Sequence, residues 1–179
     1  MQQSGATLLE LMVTLAVSAI LLGIGIPSFA SLSHSSRLSG ATNELVSSLH
    51  LTRSEAIKRN SRVVMCTSAT GTSCAASGDW HQGWLVFHDA NNNAALDSGE
   101  TVILTRPAFP PGLKLKGNLW VSKYISYTPS GATRTVSGML QMGTLTVCNG
   151  SAVSGKAREV AISGTGRPRT ATITKPSCA

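Results

Sequence analysis

The sequence predicts an α+β chain: a long, kinked N-terminal helix, transmembrane and then amphipathic, packed on a β-rich antiparallel head. Three observations carry that reading. Residues 11–30 are almost wholly apolar, broken only by Thr14, Ser18, Gly23, Gly25, Pro27 and Ser28, and such a length can cross a bilayer as a helix. Leu38, Ala41, Leu45, Leu49, Thr52, Ala56 and Ile57 then recur at three- and four-residue spacing, the signature of one buried helix face. Beyond Asn60 that period ends, and Gly, Pro, Ser and Asn clusters separate short apolar runs, which favours strands and turns.

At 179 residues the chain holds one globular domain and an appendage. The expected segments are 6–30, the membrane-length helix; 31–60, its amphipathic continuation; and 61–179, the head. Pro27 removes a backbone donor and crowds the preceding turn, so a kink is expected there. Arg37, Glu44, Arg53, Lys58 and Arg59 fall outside the apolar stripe. Candidate strands are Arg62–Cys66, Gly83–His88, Thr101–Thr105, Leu113–Leu115, Tyr124–Tyr127, Gly143–Val147, Arg158–Ile162 and Thr170–Thr174.

Charge is unevenly placed within the net +7. Residues 1–36 carry Glu10 alone, whereas residues 134–179 set Arg134, Lys156, Arg158, Arg167, Arg169 and Lys175 against Glu159. That bias suits a polyanionic partner, although a solvated basic face is its commoner meaning. The four cysteines show no CxxC and no zinc spacing, so a metal site is not expected. Three disulfide pairings are open. The favoured one joins Cys66 to Cys74 across a small loop and Cys148 to Cys178, pinning the tail.

Glu10 stands against the apolar run, where a carboxylate is costly and needs a partner. An ordinary secretory signal would want a basic start and a shorter apolar core. The stretch Ser4–Val13 instead resembles the cleavage motif of type IV prepilins and pseudopilins: a Gly, the scissile bond, and Glu as the fifth mature residue. The resemblance implies a leader over residues 1–5, cut between Gly5 and Ala6 by a prepilin peptidase that methylates the new amine. That cation would neutralise Glu10 of a neighbouring subunit, so other pilins are partners through this helix. It also implies a single-pass inner-membrane precursor with a periplasmic head, later carried in a pilus at the cell surface. Two departures stand out: Ala6 replaces the family's usual Phe, and the leader lacks Lys or Arg.

Leu51–Asn60, which ends the helix, and Gly78–Asp89 and Ser98–Ile103 in the head resemble the FimT/FimU and type II secretion pseudopilin H (GspH) group of minor pilins. Similarity covers most of the chain and is strongest at residues 4–30, 51–60, 78–104 and 159–169.

Three candidate sites follow. Asp89, Asn91, Asn93, Asp97 and Glu100 occupy positions 1, 3, 5, 9 and 12 of a calcium-loop pattern. Ala94 stands where that pattern takes Gly, and strands flank the loop, so a solvated hairpin turn is preferred to calcium and no cofactor is expected. His34, His50, His81 and His88 show no catalytic partner pattern, and no enzyme is expected. Trp80, Trp84 and Trp120 read as core or strand-face residues rather than base-stacking platforms. The tail gives the sharpest pattern. Gly166, Arg167, Pro168 and Arg169 place two guanidiniums around a backbone-fixing proline, a form suited to bidentate phosphate contact. These four residues resemble the Gly-Arg-x-Arg motif of FimT. By that resemblance Arg167 and Arg169 grip DNA without sequence preference during uptake in natural transformation, with Lys175, Lys156, Arg158 and Arg134 as auxiliary charges. The alternative is a structural FimU-like subunit or H-type pseudopilin in which the tail is only a turn.

Overall fold

The computed structural model describes residues 7–150 and 155–175, without the side chains of 24–28, 30, 31 and 175. The chain divides into two compact units, Met1–Arg37 and Leu38–Ala179. Helix α1, Leu8–Arg59, runs through Pro27 without ending. In the first unit its apolar side chains, Leu8 to Leu22 among them, are exposed. Among the described residues no helix is long and apolar enough to cross a membrane. Gly5 and Ala6 lie outside the described residues.

In the second unit the expected stripe is buried: Leu38, Ala41, Leu45, Leu49, Thr52 and Ala56 all face the core. Ile57 departs from the expectation and is half exposed. Ala56 already fills the inward position, and the next residue lies about 100° further round a helix. Truncating Leu45 or Leu49, both fully buried, would cost about 2–5 kcal/mol.

Eight strands follow: β1 Val63–Thr67, β2 Trp84–His88, β3 Val102–Arg106, β4 Leu113–Gly117, β5 Tyr124–Tyr127, β6 Gly143–Asn149, β7 Gly155–Ile162 and β8 Pro168–Lys175. They form two antiparallel four-stranded sheets, ordered β3-β2-β1-β5 and β4-β6-β7-β8. One core joins the stripe of α1 to Val63, Met65 and Ile125 of the first sheet and Leu145, Val147, Val160 and Ile162 of the second.

Alternation sends Val64 and Cys66 of β1, with Leu85 and Phe87 of β2, to the opposite face of the first sheet. They are buried there by Cys74, Ala94, Leu96 and Tyr124. Cys66 and Cys74 are disulfide-bonded, Cα to Cα 5.6 Å, which holds the covering loop down. Cys148 is disulfide-bonded as well; Cys178, its expected partner, lies outside the described residues.

Candidate nucleic-acid interface

β7 and β8 form a hairpin whose register pairs Ile162 with Pro168 and Ala161 with Arg169, leaving Ser163–Arg167 as the connection. Gly166 N–H donates to the Ser163 carbonyl at 2.8 Å, closing a turn. Gly166 takes φ +76°, a region that side chains disfavour. A Cβ there would overlap the Gly131 carbonyl oxygen and stand 2.8 Å from Cε1 of Tyr127. The turn is thus seated on the Thr128–Gly131 turn, and only glycine fits the contact.

Further bonds hold it. Thr133 N–H donates to the Gly164 carbonyl at 3.2 Å. The Thr133 hydroxyl donates to the Gln141 carbonyl at 2.7 Å, with the Ser163 carbonyl 3.1 Å away. A Cβ on Gly164 would stand 3.1 Å from a Leu140 methyl, so this glycine too is closely approached. Pro168 is half-buried, while Arg167 and Arg169 are exposed. Among the described residues neither guanidinium has a hydrogen bond or an ion pair. Two full charges therefore project from a backbone fixed by buried contacts.

The remaining sequence candidates divide. Arg134 follows Thr133, whose N–H bonds the turn; its own Nη1 donates to the Gly138 carbonyl at 3.0 Å, and the side chain is exposed. Arg158 does not join it. Its guanidinium donates to Thr172 Oγ1 and reaches Ser39 Oγ at 3.4 Å, on the face carrying Val160 and Ile162. Arg169 pairs with Ala161 and so lies on the opposite face of the sheet. Lys156 pairs with Thr174 in the same alternation as Arg158. The Lys175 backbone pairs with Gly155; its side chain lies outside the described ones.

Two arginines that the sequence left without a role approach the same region. A Cβ on Gly131 would lie 2.9 Å from Arg53 Nε, so this guanidinium lies against the residue that seats Gly166. Arg62 Nη1 donates to the Thr135 carbonyl at 3.2 Å. Among the described residues the buried Tyr127 hydroxyl has no hydrogen-bond partner. Burial pushes its pKa far above the ordinary phenol value, against the lowering pull of Arg53. The sequence signal for Arg53 was its position off the apolar stripe, which alone does not say what it meets.

The Asp89–Glu100 loop is bonded to itself. Asp89 is buried and accepts the N–H groups of Asn93 (3.1 Å) and Ala94 (3.0 Å). Desolvation raises its pKa, while the Asn91 and Asn93 amides hold Asp97 below its ordinary value. Glu100 accepts from Ala90 and Asp97 N–H. Ala94 takes φ +57°. Among the described residues no group of three His, Cys, Asp or Glu is placed to hold a metal ion. Of the histidines, His88 Nε2 lies 2.8 Å from Ser61 Oγ, and His81 Nε2 lies 3.3 Å from Lys114 Nζ. His50 is exposed, and His34 lies in the first unit.

Trp80 and Trp84 are core residues, fully buried, and Trp84 meets Phe109 edge-on at 5.4 Å. Trp120 departs from the expectation. It lies in a 3-10 turn, Leu119–Val121, whose buried member is Val121, and is itself 54% exposed.

The family model described as Type II transport protein GspH matches residues 41–166, and that described as Prokaryotic N-terminal methylation motif matches residues 1–26. Two crystal structures of the Pseudomonas aeruginosa (strain PAO1) type IV minor pilin FimU are similar in fold. One has TM-score 0.59 at 19% identity, covering 83% of this chain and 99% of that one. The other has TM-score 0.56 at 20% identity, covering 79% and 100%. No curated protein matches the chain.

Proposed function

The chain belongs to the type II transport protein GspH family, and from that membership we propose that it is a minor pilin whose Arg167–Arg169 turn binds DNA for uptake. The observation that carries the reading is the seating of Gly166 against the Gly131 carbonyl, which fixes the backbone bearing Arg167 at the end of the turn and Arg169 at the start of β8. Planar guanidiniums suit the paired oxygens of phosphates. Each contact releases condensed counterions and reads no base, so binding is sequence-independent and salt-sensitive. Arg134 extends the same surface, and Arg53 and Arg62 add to its potential. Lys156 and Arg158 belong to the other face and are not part of this site.

The match to the methylation motif over residues 1–26 supports processing between Gly5 and Ala6. The exposed apolar face of α1 supports anchoring in the inner membrane and then assembly with other pilins, with Glu10 paired to a neighbour's amine. A second reading, a structural pseudopilin of type II secretion, is favoured by the description of the matching family. A mobility-shift assay on the detergent-solubilised chain separates them. Wild-type protein should retard any duplex, and Arg167→Gln with Arg169→Gln should abolish most of the shift. A wild-type chain that shifts no DNA at low salt would leave the structural reading.

A further inference from the structure

Beside the arginine turn lies a groove of about 490 Å³, lined by Leu119, Trp120, Lys123, Tyr124, Thr135 and Val136 among others. We propose that this groove is a nucleobase-stacking site for single-stranded DNA, continuous with the phosphate-gripping turn. The inference rests on the DNA-binding reading above and adds a strand preference to it.

The groove and the turn are one surface. Thr135 follows Arg134, whose guanidinium caps the Gly138 carbonyl of the Thr135–Gly138 turn. Leu140, bridged to Arg134, packs under Gly164. The segment Thr133–Gln141 thus bonds the arginine turn through Thr133 and lines the groove through Thr135 and Val136.

The aromatic platform is built rather than loose. Gln141 is fully buried and spends its amide on this spot. Its Nε2 donates to the carbonyls of Trp120 (2.8 Å) and Tyr124 (2.9 Å), and its Oε1 accepts Ser126 N–H at 2.9 Å. The Tyr124 hydroxyl in turn accepts Val136 N–H at 3.2 Å, holding the far wall. Trp120 is thus an exposed indole on a backbone fixed by a buried side chain.

Charge selects the occupant. Among the described residues Lys123 is the only charged group lining the groove, its Nζ also donating to the Ala76 carbonyl, and Arg134 precedes the lining residue Thr135. An apolar, aromatic slot bounded by cations matches a single strand, whose bases stack on indole while its phosphates follow the charges. A duplex keeps its base faces internal and can use only the arginines. A second copy of this chain would bring an equally basic surface against this one.

The test uses the detergent-solubilised full chain, a short oligothymidylate, and a duplex of equal length. Trp120→Ala should lower oligothymidylate affinity at least about fivefold and leave duplex affinity unchanged; Trp120→Phe should keep most of the single-strand affinity. Because Trp80 and Trp84 are buried, quenching of solvent-exposed indole fluorescence by oligothymidylate should vanish in both variants. If Trp120→Ala binds both nucleic acids like wild type while Arg167→Gln with Arg169→Gln weakens both, the groove inference falls and the arginine reading stands. If wild type binds neither, both fall. If Trp120→Ala changes only the sedimenting species, the groove is a protein contact and the inference is overturned.

Discussion

Substituting Gly166 by alanine separates a seated turn from one that merely projects. Its φ of +76° costs a residue with a side chain about 1–2 kcal/mol. The new Cβ also overlaps the Gly131 carbonyl and crowds the buried Tyr127 ring, neither of which can swing aside. The turn must lift, giving up the Thr133–Gly164 hydrogen bond, worth about 0.5–1.5 kcal/mol. Together these terms predict a loss of about 1.5–3.5 kcal/mol, or roughly 3–14 °C in Tm for a unit of this size. Gly138 supplies the control. Its φ is +86° but nothing lies within 4 Å of where a Cβ would stand, so Gly138→Ala should lose only the strain of about 1–2 kcal/mol. Thermal melts of both variants, with duplex affinity measured alongside, make the comparison. Gly166→Ala should melt lower and bind more weakly. Equal melting temperatures would refute the seating of the turn.

Other consequences are checked separately. N-terminal sequencing of cell-associated protein should begin at Ala6 with one added methyl; a product beginning after residue 30 would mean an ordinary signal peptide. Non-reducing peptide mapping should return Cys66–Cys74 and Cys148–Cys178. Replacing Cys66 and Cys74 by alanine should cost about 2–3 kcal/mol by loop entropy, and crossed pairs would defeat the framework. Burial holds the Asp89 carboxyl above its ordinary 3.8, so the folded state binds its proton more readily than the unfolded one. That contribution is fullest below pH 3.8 and is lost as pH rises through the raised folded value. The Tm of wild type minus that of Asp89→Asn should therefore fall with rising pH and then level off; a flat difference would contradict the burial argument.

Much of the fold was legible because its signals are local. The helical stripe from Leu38 to Ala56 is written in three- and four-residue spacing, and all eight strands fall where Gly, Pro, Ser and Asn bound short apolar runs. Tyr124–Tyr127 agrees at both ends, and the others differ by a few residues. What stayed hidden depends on distant chain. The division into two sheets is a matter of pairing, so β5 beside β1 has no local mark. Arg158 and Arg169 both read as tail charges, yet the register of β7 against β8 sends them to opposite faces. Gly166 was readable as a turn residue, but its partner, the Gly131 carbonyl, lies across another hairpin. Arg53 and Arg62 reach that region only through folding. Trp120 reads as a core residue by type, whereas its 3-10 turn buries Val121 instead.

The central claim is that Arg167 and Arg169 grip phosphates from a fixed turn. Its most direct test is the slope of log affinity against log salt for duplex DNA, measured with wild type and with Arg167→Gln plus Arg169→Gln. Two lost contacts should flatten the slope by about two units for every sequence tried, while Tm stays nearly unchanged because exposed charges contribute little to folding. An unaltered slope and affinity in the double variant would contradict the account.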